Sequence, residues 1–360
     1  MALYERCPAW HGKRPFFRTC RIMNTSPLVA ALVSILALAP AAARSQPGAS
    51  GLKIIQRIAG PDGGWDYASF DPRLRRVYVA HGDKVMVIDA DTGKANPDFA
   101  PGDRLHAVVP VPGTDRVVTT NSGDNTAKVI DARSGALLGS IPTAQDADSA
   151  AYDPATGLVV VIGGDSGEIT LVDPKALKAV GSIKVGGALE FLAPDGRGRV
   201  FVNAEDSNQL VVVDLKARKV LAHWPLTDCR RPTGLALVAG GRLISACGNG
   251  VAKITSAADG HSIATLTIGE GPDAVLYDNR RGLAMIPSGR SGTLAVIALE
   301  GPHANTVIDT VPTQVGARTG AVDPKTGRVW LPTAQYNLPV PAGQRPTTKP
   351  GTFEVLVLDR

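Results

Sequence analysis

The local signatures of the common hydrolases and nucleotide enzymes are missing from this chain. It has no Gly-x-Ser-x-Gly elbow, no His-Glu-x-x-His pair and no phosphate-binding Gly-Lys-Ser/Thr loop. Any active site would have to be assembled from distant segments. Cysteine is scarce, with four in 360 residues and no Cys-x-x-Cys, so neither a haem-attachment motif nor a paired zinc motif is present. No 3.6-residue apolar period is sustained after residue 43, which predicts very little helix. Aromatic residues make up only 5% of the chain.

A strong charge of one sign is also absent once the leader is set aside. Leu28 to Ala43 is almost purely apolar, follows a stretch carrying Arg6, Lys13, Arg14, Arg18 and Arg21, and ends in Ala41-Ala42-Ala43. That is the anatomy of a cleaved secretory signal peptide over residues 1–43, with residues 44–51 as a linker. Met23 is a second candidate start, and Lys13-Arg14-Pro15-Phe16-Phe17 gives a faint twin-arginine pattern, so the export route stays open. Removing 5 basic residues from 38 and 1 acidic residue from 33 leaves 33 and 32, a net charge of +1. A near-neutral body argues against nucleic acid as a partner. No later apolar run is long enough for a membrane span. The expected location is periplasmic or secreted. Cys229 and Cys247 remain in the mature chain, and an even pair in an oxidising compartment reads as a disulfide.

What the chain does have is a period. Asp71-Pro72-Arg73-Leu74-Arg75-Arg76-Val77-Tyr78-Val79 returns as Asp153-Pro154-Ala155-Thr156-Gly157-Leu158-Val159-Val160-Val161 and again as Asp323-Pro324-Lys325-Thr326-Gly327-Arg328-Val329-Trp330-Leu331. Degenerate copies lie between, at a step of roughly 40 to 45 residues, the length of a four-stranded propeller blade. Short β-branched runs such as Val85–Asp89 and Leu210–Asp214 are each followed by a turn rich in Asp, Gly, Pro or Lys. The prediction is all-β: a seven-bladed β-propeller of four-stranded antiparallel blades over residues 52–360, with blades starting near residues 67, 107, 149, 191, 234, 274 and 320. The last unit runs out of chain after its third strand, while Leu52–Ile58 has no unit of its own. Pairing the two closes the ring and removes an open edge.

These units resemble the YVTN-type propeller repeat, and residues 52–360 resemble the bacterial YncE-like exported proteins. Arg76-Val77-Tyr78-Val79-Ala80 stands where that family's eponymous strand would be, and Val129-Ile130-Asp131-Ala132-Arg133-Ser134-Gly135 matches its third strand and turn. The copies at Ala239-Gly240-Gly241 and Asp278-Asn279-Arg280 depart from it. The resemblance implies a secreted or periplasmic seven-bladed propeller. Related propellers include binding modules, subunits of quinone-dependent dehydrogenases and sugar lactonases.

With strands a to d counted outward, a–b and c–d turns share one face, and b–c loops and d–a connections share the other. The repeated Asp-Pro turns fall on the first, where they are turn chemistry. Just before each strand a, one position recurs: Asp66, His106, Asp148, Glu190, Thr233, Asp273 and Thr319. These should ring one mouth of the central channel. Strand b ends add His81, Asn121, Asn203 and Cys247, and the b–c loops add Asp83, Asp124, Asp165, Glu205 and Asp206.

Two readings compete. In one, the ring is an acidic funnel for a cation, an amine or a polyol, with Asp66, His81, His106, Asn121, Asp148, Glu190, Asn203, Glu205 and Asp273 as ligand-binding candidates. His81, His106 and Asp66 are then candidates for a divalent metal. In the other, these polar groups only tie each blade to the next. Gln335–Gly351, a Pro-rich b–c loop of the last blade, is either a lid or partner contact or a floppy insertion. The expected function is an exported scaffold binding a small molecule, cation or protein partner at this face, rather than a self-sufficient enzyme. The alternative is a metal-assisted lactonase-like hydrolase or a propeller subunit of a quinone-dependent oxidoreductase.

Overall fold

The structure is a computed structural model that describes residues 50–337 and 346–360. The signal-peptide expectation and the centre of the last-blade loop lie outside the described residues.

Seven four-stranded antiparallel sheets follow one another along the chain. Blade 1 is built from Ala68–Asp71, Arg76–His81, Lys84–Asp89 and Ala95–Pro101 as strands a to d. Blades 2 to 6 repeat this order with strand a at Leu105–Val111, Ala147–Asp153, Leu189–Pro194, Pro232–Val238 and Leu276–Asp278. Blade 7 takes Ala321–Val322, Val329–Thr333 and Glu354–Asp359 from the end of the chain and Lys53–Ala59 from its beginning. Lys53 pairs with Asp359 and Ala59 with Glu354, so the predicted closure by the N-terminal strand is present. The only helix among the described residues is a single turn at Gly301–His303, and no helix there is long and apolar enough to cross a membrane.

Period-two burial explains why the blades stack. In strand b of blade 1, Val77 and Val79 enter a cluster with Trp330, Val355 and Val357 of blade 7. The alternate residues Tyr78 and Ala80 enter a cluster with Leu105, Val108 and Val117 of blade 2. Each blade thus feeds both neighbours, and the core is seven separate clusters, one per gap. Burial of large side chains such as Trp330 and Phe201 in these gaps is the main favourable term holding the ring. Strand d is the outer edge, and Lys219–Pro225 alternates exposed with half-buried residues.

The turn face satisfies itself. In blade 7, Asp323 Oδ1 accepts from Lys325 N at 2.8 Å, and its Oδ2 accepts from Thr326 Oγ1 at 2.9 Å. Gly327 supplies the left-handed residue, at φ 80. Blade 1 has Arg75 at that position, at φ 54, an unfavourable place for a side chain. Its guanidinium reaches both Asp91 and the buried Asp323 at 2.6 Å, linking blade 1 to blade 7. Several other arginines of this face are likewise engaged: Arg73 pairs with Asp115 and Arg281 with Asp278, while Arg76 donates to the Ala132 carbonyl.

Candidate functional site

A bulge aims the ring residues. In blades 2 to 5 the pairing of strand a with strand b slips between Leu105 and Val108, Ala147 and Ala150, Leu189 and Leu192, and Pro232 and Leu235. His106, Asp148, Glu190 and Thr233 sit inside these slips. A bulge re-aims a side chain that a regular strand would direct into a blade gap, and here it turns the ring position toward the mouth. Tyr67 N donates to the His106 carbonyl at 3.0 Å, so the ring is also stitched by backbone across blades 1 and 2.

One residue further in, the channel is blocked. Tyr67 from blade 1 meets Phe191 from blade 4 edge to face, with ring centroids 5.0 Å apart. The mouth is therefore a blind funnel with an aromatic floor. Burial, then the charges of Glu190, Asp148, Asp273 and Asp66, push the Tyr67 phenol well up, so it stays neutral.

Over blades 1 to 3, His106 lies between two carboxylates. Its Nδ1 is 2.7 Å from Asp66 Oδ2 and 3.3 Å from Asp148 Oδ1, and its Nε2 is 2.9 Å from Ser122 Oγ. Burial first, then the neighbouring charges of Asp66, Glu190 and Asp273, push Asp148 well above the usual carboxylate range. Over blades 4 to 7 lies a cavity of about 630 Å³. Glu190, Glu205, Asp273, Arg231, Arg290 and Arg318 line it, with Pro272, Val315 and Tyr336 as apolar wall. Arg231 pairs with Glu205 at 2.7 Å and Arg318 with Asp273 at 2.9 Å. Among the described residues, Glu190 and Arg290 have no ion-pair partner. Burial and the charges of Asp273 and Glu205 push Glu190 up to about 9. Burial raises Asp273 to about 6 against the opposing pull of Arg318.

The sequence-predicted residues divide accordingly. Asp66, His106, Asp148, Glu190, Glu205 and Asp273 converge on the mouth. Asn121 and Asn203 do not offer themselves to a ligand. The Asn121 amide accepts from Asp103 N at 3.0 Å and donates to Thr119 Oγ1 and the Thr126 carbonyl. Asn203 donates to the Thr233 carbonyl at 2.7 Å and accepts from Ser245 Oγ, tying blade 4 to blade 5.

His81 is not part of the His106 group. It is buried, with its ring 4.2 Å from Phe353 and its Nε2 without a hydrogen-bond partner among the described residues. Burial pushes it down, so it is neutral. The metal candidates that do come together are Asp66, His106 and Asp148, one ligand atom each within 4.8 Å of one another. Both imidazole nitrogens of His106 already have hydrogen-bond partners, Asp66 on one side and Ser122 on the other, so the group holds together as a hydrogen-bonded relay. A metal taking Nδ1 between Asp66 and Asp148 would replace the direct bond to Asp66.

Arg318 was missed by sequence reading. It donates to Asp273 and to the Trp65 carbonyl at 2.8 Å, and its guanidinium lies over the Trp65 ring. The signal was present: the residue before each ring position is Trp65, Leu105, Ala147, Leu189, Pro232, Pro272 and then Arg318, one cation in an apolar column. Cys229 and Cys247 form a disulfide with Cα atoms 5.3 Å apart. Tyr336 and Pro346 bring the described ends of the last-blade loop to the cavity wall.

No family model matches the chain, and no curated protein matches it. Solved structures do. A chain of Kuenenia stuttgartiensis hydrazine synthase aligns with a TM-score of 0.67 at 14% identity, over 76% of this chain and 94% of that one. A chain of the mitotic checkpoint complex aligns at 0.67 and 16% identity, over 87% and 96%. U3-55K aligns at 0.71 and 11% identity, over 88% and 100%. Identities this low show a shared fold, the β-propeller, and no shared activity.

Proposed function

We propose that the chain is an exported, YncE-like propeller serving as a binding scaffold, and that its blind funnel takes a small ligand bearing an ammonium group. One observation carries this reading. The carboxylates pushed above their ordinary range, Asp148, Glu190 and Asp273, all sit at the mouth. Buried like charges held together are costly to the fold, and groups perturbed in this way cluster at functional sites. A ligand ammonium beside Glu190 removes that cost. The apolar wall suits an organic body better than a bare ion, and Arg290 offers the opposite charge to an anionic end.

Isothermal titration tests the reading with an amino acid, a diamine, a neutral polyol and divalent metals, each in two buffers of different ionisation enthalpy. The amino acid and the diamine should bind at neutral pH with proton release, because Glu190 ionises on contact. Glu190→Gln should lose the proton release and weaken affinity by about tenfold or more, the scale of a charged hydrogen bond. If Glu190→Gln and Asp273→Asn leave every affinity unchanged, the reading fails.

A further inference from the structure

We propose that Asp66, His106 and Ser122 form a serine-based acyl-transfer relay that hydrolyses a small neutral or cationic carboxylic ester or lactone. The three side chains lie in line: Asp66 Oδ2 to His106 Nδ1 at 2.7 Å, and His106 Nε2 to Ser122 Oγ at 2.9 Å. In the tautomer with Nδ1–H donating to Asp66, Nε2 accepts from the Ser122 hydroxyl, whose Oγ also lies 3.4 Å from the Arg104 carbonyl. That is the tautomer a general base needs, with a carboxylate orienting it. No local motif announces the group because Asp66 comes from blade 1, His106 from a bulge in blade 2, and Ser122 from the end of strand b in the same blade.

Ser122 is 7% exposed, and its register makes it the counterpart of residues that line the cavity in other blades. Leu105 pairs with Asn121, Ala147 with Gly163, Leu189 with Ala204, Pro232 with Cys247 and Pro272 with Ser288. The residue following each of those partners is Ser122, Gly164, Glu205, Gly248 and Gly289. Three of these, Glu205, Gly248 and Gly289, line the cavity over blades 4 to 6. Where those blades place glycine or Glu205, blade 2 places a hydroxyl on the histidine. The backbone holds this geometry: Ala107 N donates to Thr120 Oγ1 at 2.9 Å, and Ser122 N donates to the Arg104 carbonyl at 3.1 Å.

The step balances without a further reagent. Ser122 Oγ attacks the acyl carbon as its proton passes to His106 Nε2. The C–O bond to the leaving alcohol breaks, and the alcohol takes that proton. Water then attacks the acyl-serine, giving a proton to Nε2, which returns it to Ser122 Oγ as the acid leaves. Asp66, with Asp148 3.3 Å from Nδ1, stabilises the imidazolium in between. The Asp66 carboxylate beside the serine repels anionic esters and favours departure of the product acid. Glu190 and Arg290 take no part, so this proposal and the ligand reading fail separately.

The test is a fluorophosphonate probe followed by intact-mass and peptide mapping, with hydrolysis of p-nitrophenyl acetate alongside. The expected result is one adduct on Ser122, none in Ser122→Gly, and hydrolysis reduced by about 100-fold or more in His106→Ala. Ser122→Gly is the fold-safe variant, since glycine stands at the equivalent position in blades 3, 5 and 6. Asp66→Asn should lower kcat with little change in KM, which loss of a merely structural tie would not do selectively. An unlabelled wild type, an adduct elsewhere, or labelling as fast in His106→Ala as in wild type overturns the proposal.

Discussion

On the turn face, Asp89 and Asp131 are held below the usual carboxylate range by the Thr92 and Ser134 N–H groups, and Asp91 and Asp115 by arginine guanidinium groups. At the mouth, Asp148, Glu190 and Asp273 are pushed above it by burial and by one another. Both faces are made from the same repeat. The turn face was shaped by what a tight turn needs, and carboxylates there such as Asp89, Asp131, Asp173 and Asp323 have donors from their own loop or a neighbouring arginine. The mouth brings carboxylates from different blades together with too few donors. The exception at the mouth-side loops is Asp124: burial raises it, but Lys128 at 2.8 Å and Thr126 outweigh that and hold it low. Local pairing thus decides the sign, and the mouth ring is where pairing is incomplete.

The comparison is broken most directly at Asp323. It is fully buried and bonded to Lys325, Thr326 and Arg75, so Asp323→Ala should cost about 3 kcal/mol and lower the melting midpoint by several degrees. Opening the Cys229–Cys247 bridge with Cys229→Ser and Cys247→Ser should cost a similar amount, about 3 kcal/mol, read by denaturant titration. At the mouth the sign reverses. Glu190→Gln should raise stability by about 1 kcal/mol at pH 8, because it removes a charge the fold disfavours. Destabilisation by this variant would remove the contrast.

The pH profile gives the next test. Glu190 has a folded value above its unfolded one, so its penalty is absent in acid and grows as pH rises from about 4.5 to about 9. Asp273 adds a penalty that is complete near pH 6. The turn carboxylates are lowered, so their contribution is present above their unfolded value of 3.8 and is lost as pH falls below it. Thermal midpoints should therefore peak in mild acid, and Glu190→Gln should flatten the alkaline limb alone. The smallest effect is expected at the exposed pair of Arg73 and Asp115, where Arg73→Ala should leave the midpoint within error.

The period made the blade count, the turns and the closing strand readable, because each is a local pattern repeated several times. The ring positions were readable for the same reason. Asn121 and Asn203 were not, since a buried amide serving backbone and an amide serving a ligand look alike in sequence. The packing of His81 against Phe353 joins opposite ends of the chain and shows in no single repeat. Ser122 was passed over beside Asn121, although glycine at Gly164, Gly248 and Gly289 marks its position as unusual. The Tyr67–Phe191 floor joins blades across the ring and leaves no trace in any one repeat.

The closing strand also sets an order in time. Blades 1 to 6 each pair segments close in sequence and can form as the chain emerges. Blade 7 needs Lys53–Ala59 to wait for Glu354–Asp359, the longest loop closure in the molecule. Until that pairing is made, the outer edge of Glu354–Asp359 and the blade 1 face carrying Val77 and Val79 are bare, and the intermediate is exposed to misassociation. The pairing of the first strand with the last is what releases the chain from this hazard.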